Sequence, residues 1–494
     1  MSLEREAKLQ APAGFRLPEL GGDGLRAAVA EPRRVVTTYL DTSELSIARW
    51  GCNLRHRDGE GWTVKLPARV EGDLLVRGEH VFEGADGTRR PPEEAVDLLR
   101  AYVRGKPLAP VAKLRTLRRT VQLADDLGRA VAVVTDDEVS VMDGRRVASR
   151  FREVEVELAP GAEPEAFDLI VRRLREAGAG PVENVPKLRR ALGPRADEPP
   201  EVRVSKLGPD STVADVVRRA LAASVVRLLA HDAGVRLGDD PEDVHQARVA
   251  TRRLRSDLRS FREVVDHAWS GPLREELRWL GGKLGAVRDA EVLRDRLGSR
   301  EALLQPADRP AAEQLLSGLD VRREQARGHL LGSMREPRYD ALLEALVEAA
   351  RNPQVLAEIA DVSAQTALRP ALEAPWKHLQ ASIEAIAQDP SDEALHAARI
   401  RAKRMRYAAE AVAPVFGKRA RAFAAAAVGL QDVLGEHQDA VVAGGWLREE
   451  ASAGGDAFVA GQLAALEARA AADARQAWPE MWKALSRKRL RFWS

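Results

Sequence analysis

One cysteine, Cys52, stands in a chain of 494 residues. An internal disulfide is therefore excluded, and so is a cysteine cluster for zinc. That usage fits a reducing cytosol. No apolar run approaches the roughly 18 residues that span a bilayer. The opening Met1-Ser2-Leu3-Glu4-Arg5-Glu6 has no signal-peptide character. A cytoplasmic protein without a membrane span is expected. An excess of one charge sign is missing too. Lys+Arg 77 against Asp+Glu 75 leaves a net charge of +2, so the chain as a whole is not a basic coat for nucleic acid. The P-loop signature is also absent, and nucleotide binding of that kind is not indicated.

What the chain has is charge segregated into segments, on a two-part plan. Residues 1–193 mix short β-type runs with helical ones. The β-type runs are Val35–Tyr39, Trp62–Leu66, Leu74–His80, Arg118–Leu123, Ala130–Thr135, Glu138–Asp143 and Phe151–Leu158. Glu93–Val103 and Glu163–Ala177 have helical patterns. Four prolines crowd residues 194–212, where a linker is expected. Ser211 or Thr212 is placed to cap a helix starting near Val213. From there Ala/Leu/Arg/Glu-rich helical patterns dominate. Breaks are expected at Gly234–Pro241, Ser270–Pro272, Pro306–Pro310, Glu336–Tyr339, Asp389–Asp392 and Ala453–Asp456.

The helical part contains one motif twice. The run from Val244 to Arg255 (VHQARVATRRLR) returns as Leu395 to Arg406 (LHAARIRAKRMR), 151 residues later. Leu284–Ala290 (LGAVRDA) returns as Leu434–Ala440 (LGEHQDA), 150 residues later. Two linked matches at nearly one offset mark a duplicated unit. On a helix, His245, Arg248, Arg252, Arg255, Arg259 and Arg262 fall in a stripe roughly 100° wide. Leu254, Leu258 and Phe261 collect opposite it. In the second copy His396, Arg399, Lys403 and Arg406 share a face, and Glu410 ends the row. A merely solvated face normally mixes charge signs to gain i,i+4 pairs. Here Asp257 is the only acid between Arg248 and Arg262, and none lies between Arg399 and Arg406. The pattern points to a polyanion site, since arginine makes bidentate contacts with phosphate oxygens. Single-strand nucleic-acid binders interleave aromatics with their cations. Only Phe261, on the buried face, and Tyr407 are available here, so nucleic acid is not expected.

The N-terminal part alternates charge at strand spacing. In Glu4-Arg5-Glu6-Ala7-Lys8, Glu4, Glu6 and Lys8 share a face. Glu153, Glu155 and Glu157 do the same in the run Phe151–Leu158, with Arg152, Val154, Val156 and Leu158 opposite. Arg55 and Arg57 share a face, Lys65 follows, Arg77 and Glu79 share another, and Lys113, Arg115 and Arg119 have one parity. Three stacked carboxylates repel unless cations sit among them. A closed antiparallel barrel would bring these faces together around one channel. Cations there would hold a phosphate chain, and carboxylates would hold Mg2+ or Mn2+. Which of Asp136 and Asp137 faces inward stays open at this point.

Residues 1–193 resemble the CYTH superfamily, the triphosphate tunnel metalloenzymes. The resemblance rests on Glu4, Glu6 and Lys8 as ExExK, on Tyr39-Leu40-Asp41-Thr42, Leu54-Arg55-His56-Arg57, Trp62-Thr63-Val64-Lys65, Arg77 with Glu79, Asp136-Asp137 and the Glu153/Glu155/Glu157 strand. It implies an eight-stranded antiparallel barrel with flanking helices that acts on inorganic, nucleoside or thiamine triphosphate, or cyclises ATP. Where the family often carries Ser-Lys near its end, this chain has Pro186-Lys187. The resemblance implies Glu4, Glu6, Lys8 and Glu155 as catalytic residues. Lys8, Arg55, Arg57, Lys65, Arg77, Lys113, Arg115, Arg119 and Lys187 would bind substrate. Glu4, Glu6, Glu79, Asp137, Glu153, Glu155 and Glu157 would bind Mg2+ or Mn2+.

Residues 205–494 resemble the CHAD domain, the conserved-histidine α-helical domain. That implies a pair of pseudo-symmetric four-helix bundles, with repeats at 213–350 and 360–494, binding inorganic polyphosphate. The implied contacts are His245, Arg248, Arg252, Arg253, Arg255 and Arg259, then His396, Arg399, Lys403, Arg404 and Arg406. CYTH followed by CHAD resembles bacterial inorganic triphosphatases. The expected activity is hydrolysis of tripolyphosphate to pyrophosphate and phosphate, with recruitment to polyphosphate granules. The alternatives are a nucleoside or thiamine triphosphatase, or a catalytically idle polyphosphate-binding protein.

Overall fold

A computed structural model of the chain describes residues 2–67, 69–71, 74–83, 90–386 and 390–493, without the side chains of residues 2–4, 69–71 and 75. It divides into two compact units, Met1–Glu201 and Val202–Ser494.

The first unit is built on ten strands: β1 (Ser2–Gln10), β2 (Leu25–Val29), β3 (Arg33–Asp41), β4 (Asn53–Arg57), β5 (Gly61–Lys65), β6 (Arg69–Glu71), β7 (Leu74–Phe82), β8 (Ala109–Asp125), β9 (Ala130–Asp143) and β10 (Arg146–Leu158). Eight of them form a ring in the order β1-β10-β9-β8-β3-β4-β5-β7, closed by β7 on β1. The pairings are antiparallel throughout the ring. β2 extends along β8 and β6 along β7.

Strand alternation sorts the side chains. Ala7, Leu9, Val121, Leu123, Val134, Val154 and Val156 point outward beneath helix α1 (Pro164–Glu176) and form one core with Phe167, Ile170 and Leu174. Each large apolar side chain fully buried there stabilises by about 1.5–3 kcal/mol. The same parity turns Glu6, Lys8, Glu153 and Glu155 inward. A one-residue slip would push those charges under the helix, so burial fixes the register. At one end the interior is apolar. Tyr39, Leu114, Val139 and Val141 pack there around Leu188 of the short helix α2 (Lys187–Leu192).

The second unit is helical: α3 (Val213–Leu237), α4 (Pro241–Ser260), α5 (His267–Glu301), α6 (Arg309–Arg335), α7 (Pro337–Arg351), α8 (Pro370–Glu384), α9 (Asp392–Phe416), α10 (Lys418–Ser452) and α11 (Ala457–Leu485). Thr212 begins α3 with a reciprocal capping box to Asp215. The duplication shows in the helix starts. Pro241 and Asp392 open α4 and α9, and His267 and Lys418 open α5 and α10, each pair 151 residues apart. α5 and α10 are both 35 residues long.

Three sequence expectations are corrected. Ala130–Thr135 and Glu138–Asp143 are halves of one strand, β9, because inward Asp136-flanking residues continue the alternation through the charged pair. Glu93–Val103 is two short helices, Glu93–Leu98 and Arg100–Val103. The break at Ser270–Pro272 is absent. Asp266 caps α5 and Pro272 falls early within it, where a proline costs one hydrogen bond without ending the helix.

Candidate functional site

The ring encloses a cavity of about 220 Å³. Among the described residues, Lys8, Arg55, Arg57, Lys65, Arg77, Arg118 and Lys187 line it, against the carboxylates Glu79, Glu155 and Glu157. Seven cations face three anions at the wall, with Glu6, Asp137 and Glu153 against the same cations just behind it. Arg55 and Arg57 hold alternate positions of β4, Lys8, Lys65, Arg77 and Arg118 come from β1, β5, β7 and β8, and α2 presents Lys187 at its first residue. Pro186 precedes it at the N-cap.

Beneath the wall the charges interlock. Lys187 Nζ lies 2.9 Å from each of Asp137, Glu153 and Glu155. Lys8 Nζ donates to Glu6 at 2.9 Å and to Glu155. Arg77 donates to Glu6. Lys65 and Arg55 reach the two oxygens of Glu79 at 2.7 and 3.1 Å. Burial alone would lower the Lys187 pKa; Asp137, Glu153 and Glu155 outweigh it and raise it. Burial opposes ionisation of Glu6, yet Lys8 and Arg77 hold its carboxyl down at about 2. Glu155 is likewise held well below the usual range by Lys187, Lys8 and Arg118 against its burial. Glu153 is the exception. Burial pushes its carboxyl up despite Lys187, and neither of its oxygens accepts a hydrogen bond of good geometry.

The sequence-derived site residues divide as follows. Glu6, Lys8, Arg55, Arg57, Lys65, Arg77, Glu79, Asp137, Glu153, Glu155, Glu157 and Lys187 come together in this interior. Glu4 pairs in register with Arg77, and its side chain lies outside the described residues. Lys113, Arg115 and Arg119 do not join. Lys113 and Arg115 are exposed, and Arg119 donates to Glu138 and Asp136 on the outer face. Their parity is that of Val121 and Leu123, which pack under α1, so it is the outer face of the barrel and not the channel. The missed residue is Arg118, whose guanidinium donates to both oxygens of Asp137 at 2.9 and 2.6 Å. The same register assigns the acid pair: Asp137 points inward, and Asp136 points outward to Arg152. Asp41 is fully buried but holds a loop. It accepts from the backbone of Thr42, Ile47 and Ala48.

A divalent metal is tested by its donors. All are hard carboxylate oxygens, and three of them converge on a single cation, the Lys187 ammonium. Glu153 adds two buried oxygens short of hydrogen bonds. No trio of acid, histidine or cysteine side chains among the described residues faces an open point, because the lysines occupy the places between them. The donor chemistry fits Mg2+ or Mn2+.

In the second unit the two copies of the motif converge. Arg248 of α4 pairs with Asp289 of α5 at 2.8 Å, and Arg399 of α9 pairs with Asp439 of α10 at 3.4 Å. The two echoes in the sequence are thus the two ends of one contact, made twice. Arg252 and Arg406 lie over the Tyr407 ring at 5.5 and 4.9 Å, so first-copy and second-copy cations share one ring. Burial lowers Arg252, and Arg248, Arg406 and Arg399 add to that. Further along, Arg255 and Arg259 are lowered by burial and by Arg274 and Arg278 of α5, with Arg404 beside Arg259. Arg274 and Arg278 were not expected from the motif, since they lie outside both echoes.

His245 is half-buried and lowered by burial against the pull of Glu242. His396 Nδ1 has no hydrogen-bond partner among the described residues. Arg253 departs from the expected surface row. It donates to Asp257 at 3.1 Å, to Glu410 and to the Tyr407 carbonyl. Its helix position, one residue off the stripe, turns it into the interface between α4 and α9.

Comparison with known proteins gives two domain matches, the CYTH domain over residues 2–188 and the CHAD domain over residues 219–448. An uncharacterised protein of Mycobacterium tuberculosis, found in strains CDC 1551 and H37Rv, is 33% identical over 479 residues, covering 92% of this chain and 90% of its own length. Among solved structures, the CHAD domain from the plant Ricinus communis is 26% identical with a TM-score of 0.49, covering 57% of this chain and 95% of that one. PptA from Streptomyces chartreusis is 22% identical with a TM-score of 0.46, covering 55% of this chain and 100% of that one.

Proposed function

This chain belongs to the CYTH–CHAD family, and on that premise we propose that its barrel hydrolyses inorganic tripolyphosphate to pyrophosphate and phosphate while its helical unit binds inorganic polyphosphate. The observation that carries the first half is the cavity. At about 220 Å³ it falls below the roughly 300 Å³ at which pockets for drug-sized ligands begin. Its wall supplies cations for a short phosphate chain. Among the described residues its only aromatic is Tyr39, which is buried. The two tryptophans that might have stacked on a base are elsewhere. Trp62 is buried against His56, and Trp50 packs on Tyr102 and donates to Glu201.

Lys8, Arg55, Arg57, Lys65, Arg77, Arg118 and Lys187 would hold the phosphates and offset charge as it develops on the transferring group. Phosphoryl transfer asks for little beyond such positioning and charge stabilisation. Glu4, Glu6, Glu79, Asp137, Glu153, Glu155 and Glu157 are the candidate holders of Mg2+ or Mn2+. When bound, such an ion supplies Lewis acidity toward phosphate oxygens. Glu155, between Lys8 and Lys187 at the wall, is the carboxylate suited to orient the attacking water. Asp137 and Arg118 keep Lys187 and Glu155 in place. The convergence of Arg248, Arg252, Arg399, Lys403 and Arg406 supports polyphosphate as ligand of the second unit, at a place where arginines outnumber acids and the Tyr407 ring is buried beneath them.

The test is phosphate release from tripolyphosphate and from ATP with Mg2+ or Mn2+, for the wild type and for Glu4→Ala/Glu6→Ala. Fast release from tripolyphosphate that vanishes in the variant supports the proposal. Release mainly from ATP moves the barrel to the nucleotide branch. Release from neither leaves a polyphosphate binder with an idle barrel.

A further inference from the structure

Six of the seven wall cations are held by carboxylates of the barrel interior. Lys8 and Arg77 meet Glu6, Arg55 and Lys65 meet Glu79, Arg118 meets Asp137, and Lys187 meets Asp137, Glu153 and Glu155. Arg57 is the seventh. Among the described residues it is held from outside the wall by Glu60, which accepts from Nη1 at 2.9 Å. Nε of Arg57 is buried and has no hydrogen-bond partner among the described residues. Nε and Nη2 form the edge of a guanidinium that meets two oxygens at once. Arg118 spends that edge on Asp137. Arg57 keeps it, and Arg57 lines the cavity.

Glu60 is itself held. It stands in the turn after β4, and its backbone N–H donates to the Arg57 carbonyl at 3.0 Å. Gly59 and Gly61 on either side have φ of 81° and 86°, a region glycine enters without steric cost. β3 pairs with β4 only from Thr37 onward, so its first residue, Arg33, reaches past the end of β4 to the turn. Arg33 Nη2 lies 2.9 Å from Oε1 of Glu60, while Oε2 faces Arg57.

We propose that Glu60 is a positioning residue for the tunnel: it fixes Arg57 through Nη1 so that the Nε–Nη2 edge is presented to a phosphate of the substrate, and Arg33 holds Glu60 in that place. The inference rests on the tripolyphosphate reading of the barrel and adds two residues that lie outside its wall. A long side chain ordered before binding has less freedom to lose on binding. Two guanidiniums around one carboxylate keep one net positive charge, so Glu60 orders Arg57 without cancelling it.

Steady-state kinetics of the full chain on tripolyphosphate with Mg2+, run as a double-mutant cycle, tests this. Glu60→Ala, with its fold checked by circular dichroism, is expected to raise KM about fivefold and to leave kcat within about twofold, since the ordering is lost alike from ground and transition states. Arg33→Met loosens Glu60 without removing it and should raise KM about twofold. In an Arg57→Met background, Glu60→Ala should change KM by less than about 1.5-fold, because its effect passes through Arg57. Asp58→Asn removes an acid from the same turn and should leave KM within about 1.5-fold of the wild type. Loss of an acid beside an anion site acts through charge alone by lowering KM. A fall in KM on Glu60→Ala therefore means that the carboxylate competes with phosphate for Arg57, and it overturns the inference. An effect of Glu60→Ala that persists in full without Arg57 overturns it as well. Both outcomes spare the tripolyphosphate reading. A wild type that releases no phosphate from tripolyphosphate removes that reading, and this inference with it.

Discussion

Arg118 grips Asp137 with two parallel hydrogen bonds of 2.9 and 2.6 Å, from Nε and Nη2, across the β8–β9 pair. Its neighbour Arg119 looks the other way, to Glu138 at 2.8 Å. Adjacent arginines on a strand thus serve opposite faces. Arg118→Met should lower kcat/KM for tripolyphosphate by about a hundredfold, the loss of one charge-assisted bidentate contact plus the loosening of Asp137. Arg119→Met should change it less than about twofold. Steady-state kinetics of both variants tests the assignment of faces, and the reverse order of effects would falsify it.

The hard-oxygen donor set predicts metal dependence. Treatment with a chelator should abolish phosphate release, and excess Mg2+ or Mn2+ should restore it. Glu155→Gln should lose turnover at every metal concentration. Turnover that survives chelation in full would mean that the cations of the wall suffice.

Arg252 and Arg253 are a second adjacent pair with different work. Arg253 donates to Asp257, which is fully buried, and meets Glu410 from the other motif copy. Arg253→Met leaves the buried Asp257 carboxyl without its donor and should destabilise the helical unit by about 1–3 kcal/mol. Arg252→Met should weaken polyphosphate binding by roughly tenfold with little change in melting temperature. Differential scanning calorimetry beside a binding titration separates the two.

Asp257 also sets a pH dependence. Burial raises its carboxyl to about 7, against the lowering pull of Arg253. The folded protein then keeps a proton that the unfolded chain has already lost, so stability falls as pH rises from about 4 to about 7 and levels off above. Between about pH 5 and 8 this contribution amounts to about 3 kcal/mol. Asp257→Asn should flatten the slope of melting temperature against pH over that range. An unchanged slope would place the dependence in another group.

Much of this was legible in the order of residues. The alternation Glu4-Glu6-Lys8 and Glu153-Glu155-Glu157 states the inward faces of β1 and β10, because Ala7, Leu9, Val154 and Val156 between them need an apolar cover. The same reasoning was available on β8 and points the other way. Val121 and Leu123 are apolar at the parity of Lys113, Arg115 and Arg119, which marks that parity as the outer face. An arginine count alone hides this, since Arg118 and Arg119 are neighbours and only the apolar residues further along tell them apart. In the helical unit the expected breaks marked the starts of α4 and α9, while the starts of α5 and α10 and the Arg–Asp contacts of the two echoes emerged only with the structure. It could not give Arg274 and Arg278, which reach the row from α5 without belonging to either echo. Nor could it give the role of Arg253, since a position at the stripe's margin becomes interior only once a second helix lies against it.

The shared ring of Tyr407 has one more consequence. Its counterpart in the first copy, 151 residues earlier, is Ser256. In a dimer of identical chains every contact across the two-fold axis must be made in both directions by the same residues. With both copies in a single polypeptide that obligation lapses. One side can offer an aromatic ring and a lysine where the other offers a serine and an arginine, and a symmetric scaffold can carry an asymmetric surface.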